Sequence, residues 1–485
     1  MSFNSTGLLA PQIPHSELLC DSLKNNGISC DFSGTGMGKT FVGAAIARAM
    51  NEPFAVISPK LNIPKWEATL KAFGVKPEFI INYEKLARGN TDFYKYRNTA
   101  EMRKNEVPEF LRGQFKLPRG KKNIRFLLDE GHRCKGHESL NAGLVYAASE
   151  QGIPMHIMSA TMAMTPLDMR AFGYAAGLHK GMNHIKTENH GMRKFKSFMK
   201  DAGAEFVGKW GAMYFDSESP EAKAKLQEVR RQLFEVKKIA SRMNRADFAG
   251  IFPNNQIECT PYDMGANGDK IARVYQDMQD ELARLEKYSE NYSQHIFAVL
   301  TKARRLAELY KVPTLCDLAE NLVDEGKSVI IGVNYTDSID AIYTRLCKTI
   351  GADKIGRIFG GQSFAERHAD INGFQSDKKR VILANLAAGG ECIDLQDITG
   401  KHPRALLCNP SYRAIAVLQF LGRHDRAGAM SDCLTYLVLA AGTIESSVGQ
   451  KFNHKKGHLD ILNDGDLVPD GISFTTSRII QGTDF

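Results

Sequence analysis

One octapeptide constrains the fold more than any other feature of this chain. Ser33–Thr40 reads SGTGMGKT, directly after the apolar run Ile28–Phe32 and before the helical run Phe41–Met50. Strand, glycine-rich loop and helix in that order turn backbone N–H groups inward at a helix N-terminus, where the dipole adds positive potential. Such a loop cradles a phosphate chain. It also commits the surrounding chain to α/β structure, because parallel strands need helical crossovers. Gly36, Met37, Gly38, Lys39 and Thr40 form the binding turn. Lys39 is placed to reach the β- and γ-phosphates, and Thr40 to ligate magnesium. The strict pattern has a glycine five residues before Gly38, and that position is Ser33. The plain alternative is a glycine-rich turn leading into a helix, and the flanking strand and helix argue against it.

The rest of the chain extends this beginning. With 485 residues it exceeds one compact domain, and two or three are expected. Candidate strands Ile28–Phe32, Phe54–Ser58, Arg125–Asp129 and Met155–Ser159 alternate with helical patterns over the first ~180 residues, predicting a parallel sheet. From residue 181 the chain turns rich in Lys, Arg, Met and Glu with helical periodicity, as in Ala272–Tyr288. Alternation returns with Ser328–Val333, Arg380–Ala384, Arg404–Cys408 and Leu434–Leu439. The expected division is a lobe over 1–180, a helical insertion over 181–303, a second lobe over 304–460 and a tail over 461–485. A hydrophobic share of 43% suffices for real cores. No apolar run approaches the ~20 residues of a membrane span, and the N-terminus lacks a secretory pattern. Nine scattered cysteines without a CxxC pair fit a reducing cytoplasm better than a disulfide framework or a zinc site. The net charge of +8 is compatible with a nucleic-acid partner but does not establish one.

A second chemical signal follows the apolar run Phe126–Leu128. Asp129-Glu130-Gly131-His132 places carboxylates where a buried strand ends, beyond the C-terminal edge of the sheet. Asp129 would hold magnesium, and Glu130 would polarise the attacking water as general base. Alone, the tetrapeptide reads equally as a surface turn; its place 90 residues after Lys39 gives it meaning. Near the other end, Gln419–Arg426 reads QFLGRHDR. Arg423 and Arg426, if helical, fall on one face and could bracket a phosphate whose charge develops during hydrolysis. A solvated basic helix is the alternative.

Together these motifs resemble the superfamily 2 helicases, and in particular their Swi/Snf-like translocase branch. SGTGMGKT resembles the AxxGxGKT form of that superfamily, and DEGH its DExH box. The resemblance implies that His132 links the γ-phosphate to the next motif. Ser159-Ala160-Thr161 matches the SAT motif, whose hydroxyls, Ser159 and Thr161, couple nucleotide state to lobe movement in the family; a plain strand-end hydroxyl cluster is the alternative. Pro59–Trp66, PKLNIPKW, resembles motif Ia, which implies backbone contacts to nucleic acid from Pro59 and Lys60. Trp66 either stacks on a base or packs under the loop, and packing is favoured. Gln12 stands where an adenine-reading glutamine often lies. Ala388–Asp397, AGGECIDLQD, resembles motif V, implying nucleic-acid contacts from Gly389 and Gly390, with Cys392 in place of a glycine and Asp394 in place of an asparagine. Gln419, Arg423 and Arg426 match the QxxGRxxR of motif VI. Ser328–Tyr335, followed by Gly360-Gly361 and Glu366-Arg367, resembles motif IV, and Pro403-Arg404, Asn409-Pro410 and Gly442–Glu445 are similar to parts of the second lobe, particularly in bacteriophage helicases. Arg242–Pro253 resembles a basic stretch of Swi/Snf-like translocases. Residues 91–125, with ten basic residues against four acidic, either meet phosphates or form a solvated loop.

The implied protein has two RecA-like parallel-sheet lobes that hydrolyse ATP with magnesium between them and move along nucleic acid, DNA in preference to RNA. An RNA helicase, a nucleotide-gated clamp without turnover, and the motor subunit of a restriction complex are the rival readings.

Overall fold

The computed structural model describes residues 3–98, 109–117, 123–136, 139–160, 162–163, 165–179, 192–207, 212–217, 219–248, 250–258, 261–288, 292–386, 393–409 and 414–445. They fall into two compact units that divide after Phe248.

In the first unit the strands are β1 (Ile28–Asp31), β2 (Phe54–Ser58), β3 (Ile80–Asn82), β4 (Tyr94–Tyr96), β5 (Gly113–Phe115), β6 (Arg125–Asp129), β7 (Met155–Met158), β8 (Glu205–Val207), β9 (Ala212–Tyr214) and β10 (Ala240–Ser241). Six of them build one parallel sheet in the order β10-β1-β7-β6-β2-β3. The pairs β4–β5 and β8–β9 are separate antiparallel hairpins. Side chains alternate between the two faces, as the period of two requires. Ala55, Ile57, Phe126 and Leu128 join a large core on one face. Phe54, Val56 and Leu127 join a smaller core with Ala44, Trp66 and Leu70 on the other. Burial on both faces makes these strands continuous apolar runs, and this is why they stand out in the sequence.

In the second unit the strands are β11 (Asn255–Glu258), β12 (Pro261–Tyr262), β13 (Ser328–Val333), β14 (Ile355–Ile358), β15 (Val381–Asn385), β16 (Arg404–Cys408), β17 (Cys433–Leu437) and β18 (Leu439–Ala440). A second all-parallel sheet runs β11-β17-β16-β13-β15-β14. Val329, Ile331, Leu383 and Leu407 share its core with Ile271, Tyr275 and Ala303 of the long helices Ala266–Tyr288 and Tyr292–Tyr310. Two six-stranded parallel sheets, one in each unit, make the α/β, two-lobe RecA-like architecture expected from the motifs.

The stretch 181–303, expected as a helical insertion, contributes to both units. Its β10 pairs with β1 at the edge of the first sheet, and its β11 pairs with β17 at the edge of the second. β10 has only two residues and β11 reads Asn-Gln-Ile-Glu, so no apolar run announces them. No helix among the described residues is long and apolar enough to cross a membrane.

Candidate nucleotide-binding site

The phosphate loop begins where β1 ends. Helix α2 (Lys39–Met50) starts from Gly38, whose φ of 83° places it in the left-handed region. A Cβ at Gly38 would lie 2.2 Å from Nε2 of Gln12, so a side chain here would be strained by its φ and would displace the Gln12 amide. Gln12 opens helix α1 (Gln12–Asn26) and is buried. Its Nε2 donates to the Met37 carbonyl at 2.9 Å, and its Oε1 accepts from the Leu9 N–H at 2.9 Å. Gln12 therefore braces the loop from below, in addition to any part it takes in reading adenine. Lys39 Nζ donates to the carbonyls of Ser33 and Gly34, both at 2.8 Å, which folds the ammonium back over the loop.

Beneath the loop lies a polar knot that the motif does not contain. Asp31, wholly buried at the end of β1, accepts from the Ser33 N–H at 2.9 Å and stands 3.1 Å from His15 Nε2. His15 Nδ1 meets Ser241 Oγ of β10 at 2.8 Å, and Ser33 Oγ accepts from the Met243 N–H at 3.0 Å. Burial works to raise the Asp31 carboxyl, but His15, Lys39 and the Ser33 hydrogen bond overcome it and hold the group below the usual carboxylate range. Ser33, a departure from the glycine pattern, is thus a functional part of the loop's mounting.

The second carboxylate stands at the same edge. Asp31 of β1 and Asp129 of β6 both register with Met158 of the intervening β7. Asp129 is buried, and its Oδ2 accepts from Ser58 Oγ at 2.9 Å, Asn62 Nδ2 at 2.8 Å and Trp66 Nε1 at 2.9 Å. Its backbone carbonyl accepts from Tyr83 Oη at 2.7 Å. Burial and the neighbouring Glu130 raise the Asp129 carboxyl, while the three side-chain donors oppose the rise. Trp66 is fully buried in helix α3 (Ile63–Ala72), as the packing alternative expected, and carries in addition a hydrogen bond to Asp129.

Glu130 adopts φ 53°, a left-handed conformation unusual for a side-chain-bearing residue and of the kind stored at functional sites. His132 Nδ1 lies 3.3 Å from Glu130 Oε2 and 3.2 Å from Ser159 Oγ. The structure thus brings together Glu130, His132 and Ser159, three residues from two separate motifs. Thr161 lies outside the described residues. Pro59 and Lys60 follow β2 at the start of a short turn, Lys60 exposed.

In the second unit the helix carrying Gln419 spans Ala414–Leu421 and ends before either arginine. The expectation of two arginines on one helical face is therefore corrected: Gly422, which follows Leu421, begins a turn that carries Arg423, and Arg426 lies beyond it in irregular chain. Both dock on residues 393–395. The Arg423 carbonyl accepts from the Leu395 N–H at 2.9 Å, and its Nη1 reaches the Ile393 carbonyl at 3.4 Å. Arg426 pairs with Asp394 and donates from Nε to the Gly422 carbonyl at 3.0 Å. Gln419, Arg423 and Arg426 are all buried. Gly389 and Gly390 lie outside the described residues.

A buried network at the carboxyl ends of β13, β15 and β16 joins motifs that are far apart in sequence. Glu308 accepts from the Asn334 N–H at 2.8 Å, the Tyr335 N–H at 3.0 Å and Asn409 Nδ2. Lys311 donates to Asn409 Oδ1 at 2.7 Å and pairs with Glu445. Asn385 Nδ2 donates to the Asn334 carbonyl at 2.7 Å. Glu308 and Lys311 carry no motif signal, and only their burial exposes them.

Residues 310–428 match the helicase conserved C-terminal domain. A protein of Acanthamoeba polyphaga mimivirus, described as an ATP-dependent RNA helicase, is 30% identical over 452 residues, 90% of this chain and 80% of the viral protein. The chain belongs to the superfamily 2 helicases, with the Swi/Snf-like motif set. A DNA repair protein of Schizosaccharomyces pombe is 31% identical over 134 residues, 27% of this chain and 15% of that one. Among solved structures, the Sulfolobus solfataricus SWI2/SNF2 ATPase core in complex with dsDNA aligns over 96% of this chain and 95% of its own at 15% identity, with a TM-score of 0.36. For a superfamily 2 helicase the activity is ATP-dependent and the partner is nucleic acid.

The donor set also fits magnesium. Asp129 directs all three side-chain hydrogen bonds to one oxygen, and among the described residues none reaches Oδ1. Thr40 is half-buried in the first turn of α2 and supplies a hydroxyl of the type a hard cation takes.

Proposed function

We propose that this helicase is a motor on DNA, hydrolysing magnesium-bound ATP with the phosphate loop and DEGH carboxylates of the first unit and the motif VI arginines of the second. The observation that carries the ATP-hydrolysing part of the reading is the common register of β1 and β6. It sets the phosphate loop and the two carboxylates at one sheet edge, a strand apart.

In this reading Gly36, Met37 and Gly38 present N–H groups to the phosphates, Lys39 bears on the β- and γ-oxygens, and Gln12 holds the loop and the adenine side. Asp129 and Thr40 hold magnesium, whose charge neutralises the phosphate oxygens. Glu130 takes the proton of the attacking water. His132, Ser159 and Thr161 relay the state of the γ-phosphate. Arg423 and Arg426, with Gln419, stabilise the charge that develops on transfer. Pro59, Lys60, Gly389 and Gly390 grip the polymer backbone.

The DNA assignment is supported by the PKLNIPKW and AGG motifs and by the likeness to a DNA repair protein. The mimivirus relative, named for RNA, favours the second reading, an RNA helicase. ATP turnover measured in parallel with no polymer, single-stranded DNA, duplex DNA and RNA separates them. Stimulation is expected to be largest with DNA. Stimulation by RNA and by no DNA would establish the second reading, and robust turnover indifferent to every polymer would remove the motor.

A further inference from the structure

Asp129 is held in an unusual way for a carboxylate at a sheet edge. Its three side-chain donors come from one short segment and stand four residues apart: Ser58, Asn62 and Trp66. Ser58 closes β2, whose pairing with β6 sets Ile57 beside Leu128, and its hydroxyl reaches Asp129 at the strand end. Asn62 ends the short turn Lys60–Asn62, and Trp66 lies in the first turns of α3. All three are buried, and Trp66 and Ser58 are inaccessible to solvent. The indole reaches this depth because Gly43 of α2 has no side chain: a Cβ there would lie 2.9 Å from Trp66 Cη2.

The chemistry of the arrangement is specific. A carboxylate oxygen offers about two lone pairs, so three donors saturate Oδ2. None of the three bonds goes to Oδ1. Hydrogen bonds to a ligating carboxylate fix its rotation and the oxygen it presents. Simple packing would not need a hydroxyl, an amide and an indole N–H converging on one atom, since apolar side chains would fill the same space without the cost of burying polar groups.

We infer that Ser58, Asn62 and Trp66 are positioning residues for the cation: they lock Asp129 through Oδ2 so that Oδ1 is the oxygen offered to magnesium. This rests on the nucleotide-site reading above. It also makes the segment proposed to grip the polymer, through Pro59 and Lys60, the same segment that orients the metal carboxylate.

The test uses the full chain and a fluorescent ATP analogue, with binding measured in EDTA and across a magnesium titration. Wild type should bind more tightly as magnesium rises, and Asp129→Asn should lose that dependence. Trp66→Phe keeps most of the apolar volume and removes the N–H; Asn62→Ala and Ser58→Ala each remove one donor outside the aromatic core. Each should raise the magnesium midpoint, by about tenfold for Trp66→Phe, while affinity in EDTA stays at the wild-type value. A role in packing alone would lower the unfolding temperature and leave the midpoint in place. Unchanged midpoints in the folded variants, beside a magnesium-dependent wild type, overturn the positioning role. A wild type that binds the nucleotide without regard to magnesium overturns the site reading itself, and the inference with it.

Discussion

Replacing His15 with alanine probes how the phosphate loop is mounted. Asp31 has no solvent exposure, and its Oδ1 is served by the Ser33 N–H at 2.9 Å and faces His15 Nε2 at 3.1 Å. Its Oδ2 has no hydrogen-bond partner among the described residues. Without His15 the carboxylate keeps one hydrogen bond and the more distant charge of Lys39. Breaking a buried pair by removing one partner costs about 3–5 kcal/mol, because the remaining charge stays desolvated. With a urea dependence of about 3 kcal/mol per molar, the unfolding midpoint of the first unit should fall by roughly 1–1.7 M. The assay is a urea titration followed by circular dichroism, read at the transition that moves, since two units need not unfold as one. Adding Asp31→Asn to His15→Ala should recover most of the loss by removing the stranded charge. The acid limb supplies a further check. The folded-state Asp31 carboxyl lies below its ordinary value of about 3.9. Its contribution to stability is therefore complete at neutral pH and lost only as pH falls below that value. In His15→Ala the loss should begin at higher pH. A midpoint shift below ~0.3 M, or a double variant as unstable as the single, would refute the reasoning.

Three further outcomes are expected. Glu130→Gln should keep nucleotide affinity and reduce turnover by ~10²-fold or more, since only the base is removed; single-turnover hydrolysis at the wild-type rate would reassign the base. Arg426→Ala should bind ATP within several-fold of wild type and turn over about 10³-fold more slowly, whereas weak binding with unchanged turnover at saturation would mark a ground-state contact. Affinity for duplex DNA should fall by about 0.9 log units per log unit of salt for each phosphate neutralised, and a flat salt profile in a filter-binding titration would count against a grip on the backbone.

The parts of the site that were legible in the sequence are those whose chemistry demands particular residues in consecutive order. A phosphate cradle needs glycines, a lysine and a hydroxyl at set spacing, and SGTGMGKT supplies them whatever surrounds it. The central strands were legible for a different reason: they are covered on both faces, so their middles are continuous apolar runs, Phe54–Ile57, Phe126–Leu128 and Val329–Val333. The edge strands give a weaker signal: β3 and β10 are only two or three residues long, β14 is broken by Gly356 and Arg357, and β11 reads Asn-Gln-Ile-Glu with alternating exposure. Their pairing is decided by the neighbouring strand and leaves no pattern of its own.

The residues that support the site were not legible, because their partners are distant in the chain. His15 meets Ser241 across 226 positions, Lys311 meets Glu445 across 134, and Trp66 meets Asp129 across 63. Nothing in a local window distinguishes Trp66 with its N–H on a carboxylate from a tryptophan that merely fills space. The end of the helix before Arg423 and Arg426 was hidden in the same way, since their spacing of three suits a helix, and only the folded chain, with both docked on residues 393–395, shows that the helix has already ended. Motif chemistry and two-sided burial are written into adjacent residues and so belong to the sequence alone. Which buried polar atom answers which carboxylate depends on chain segments folded against each other, and only the tertiary structure decides it.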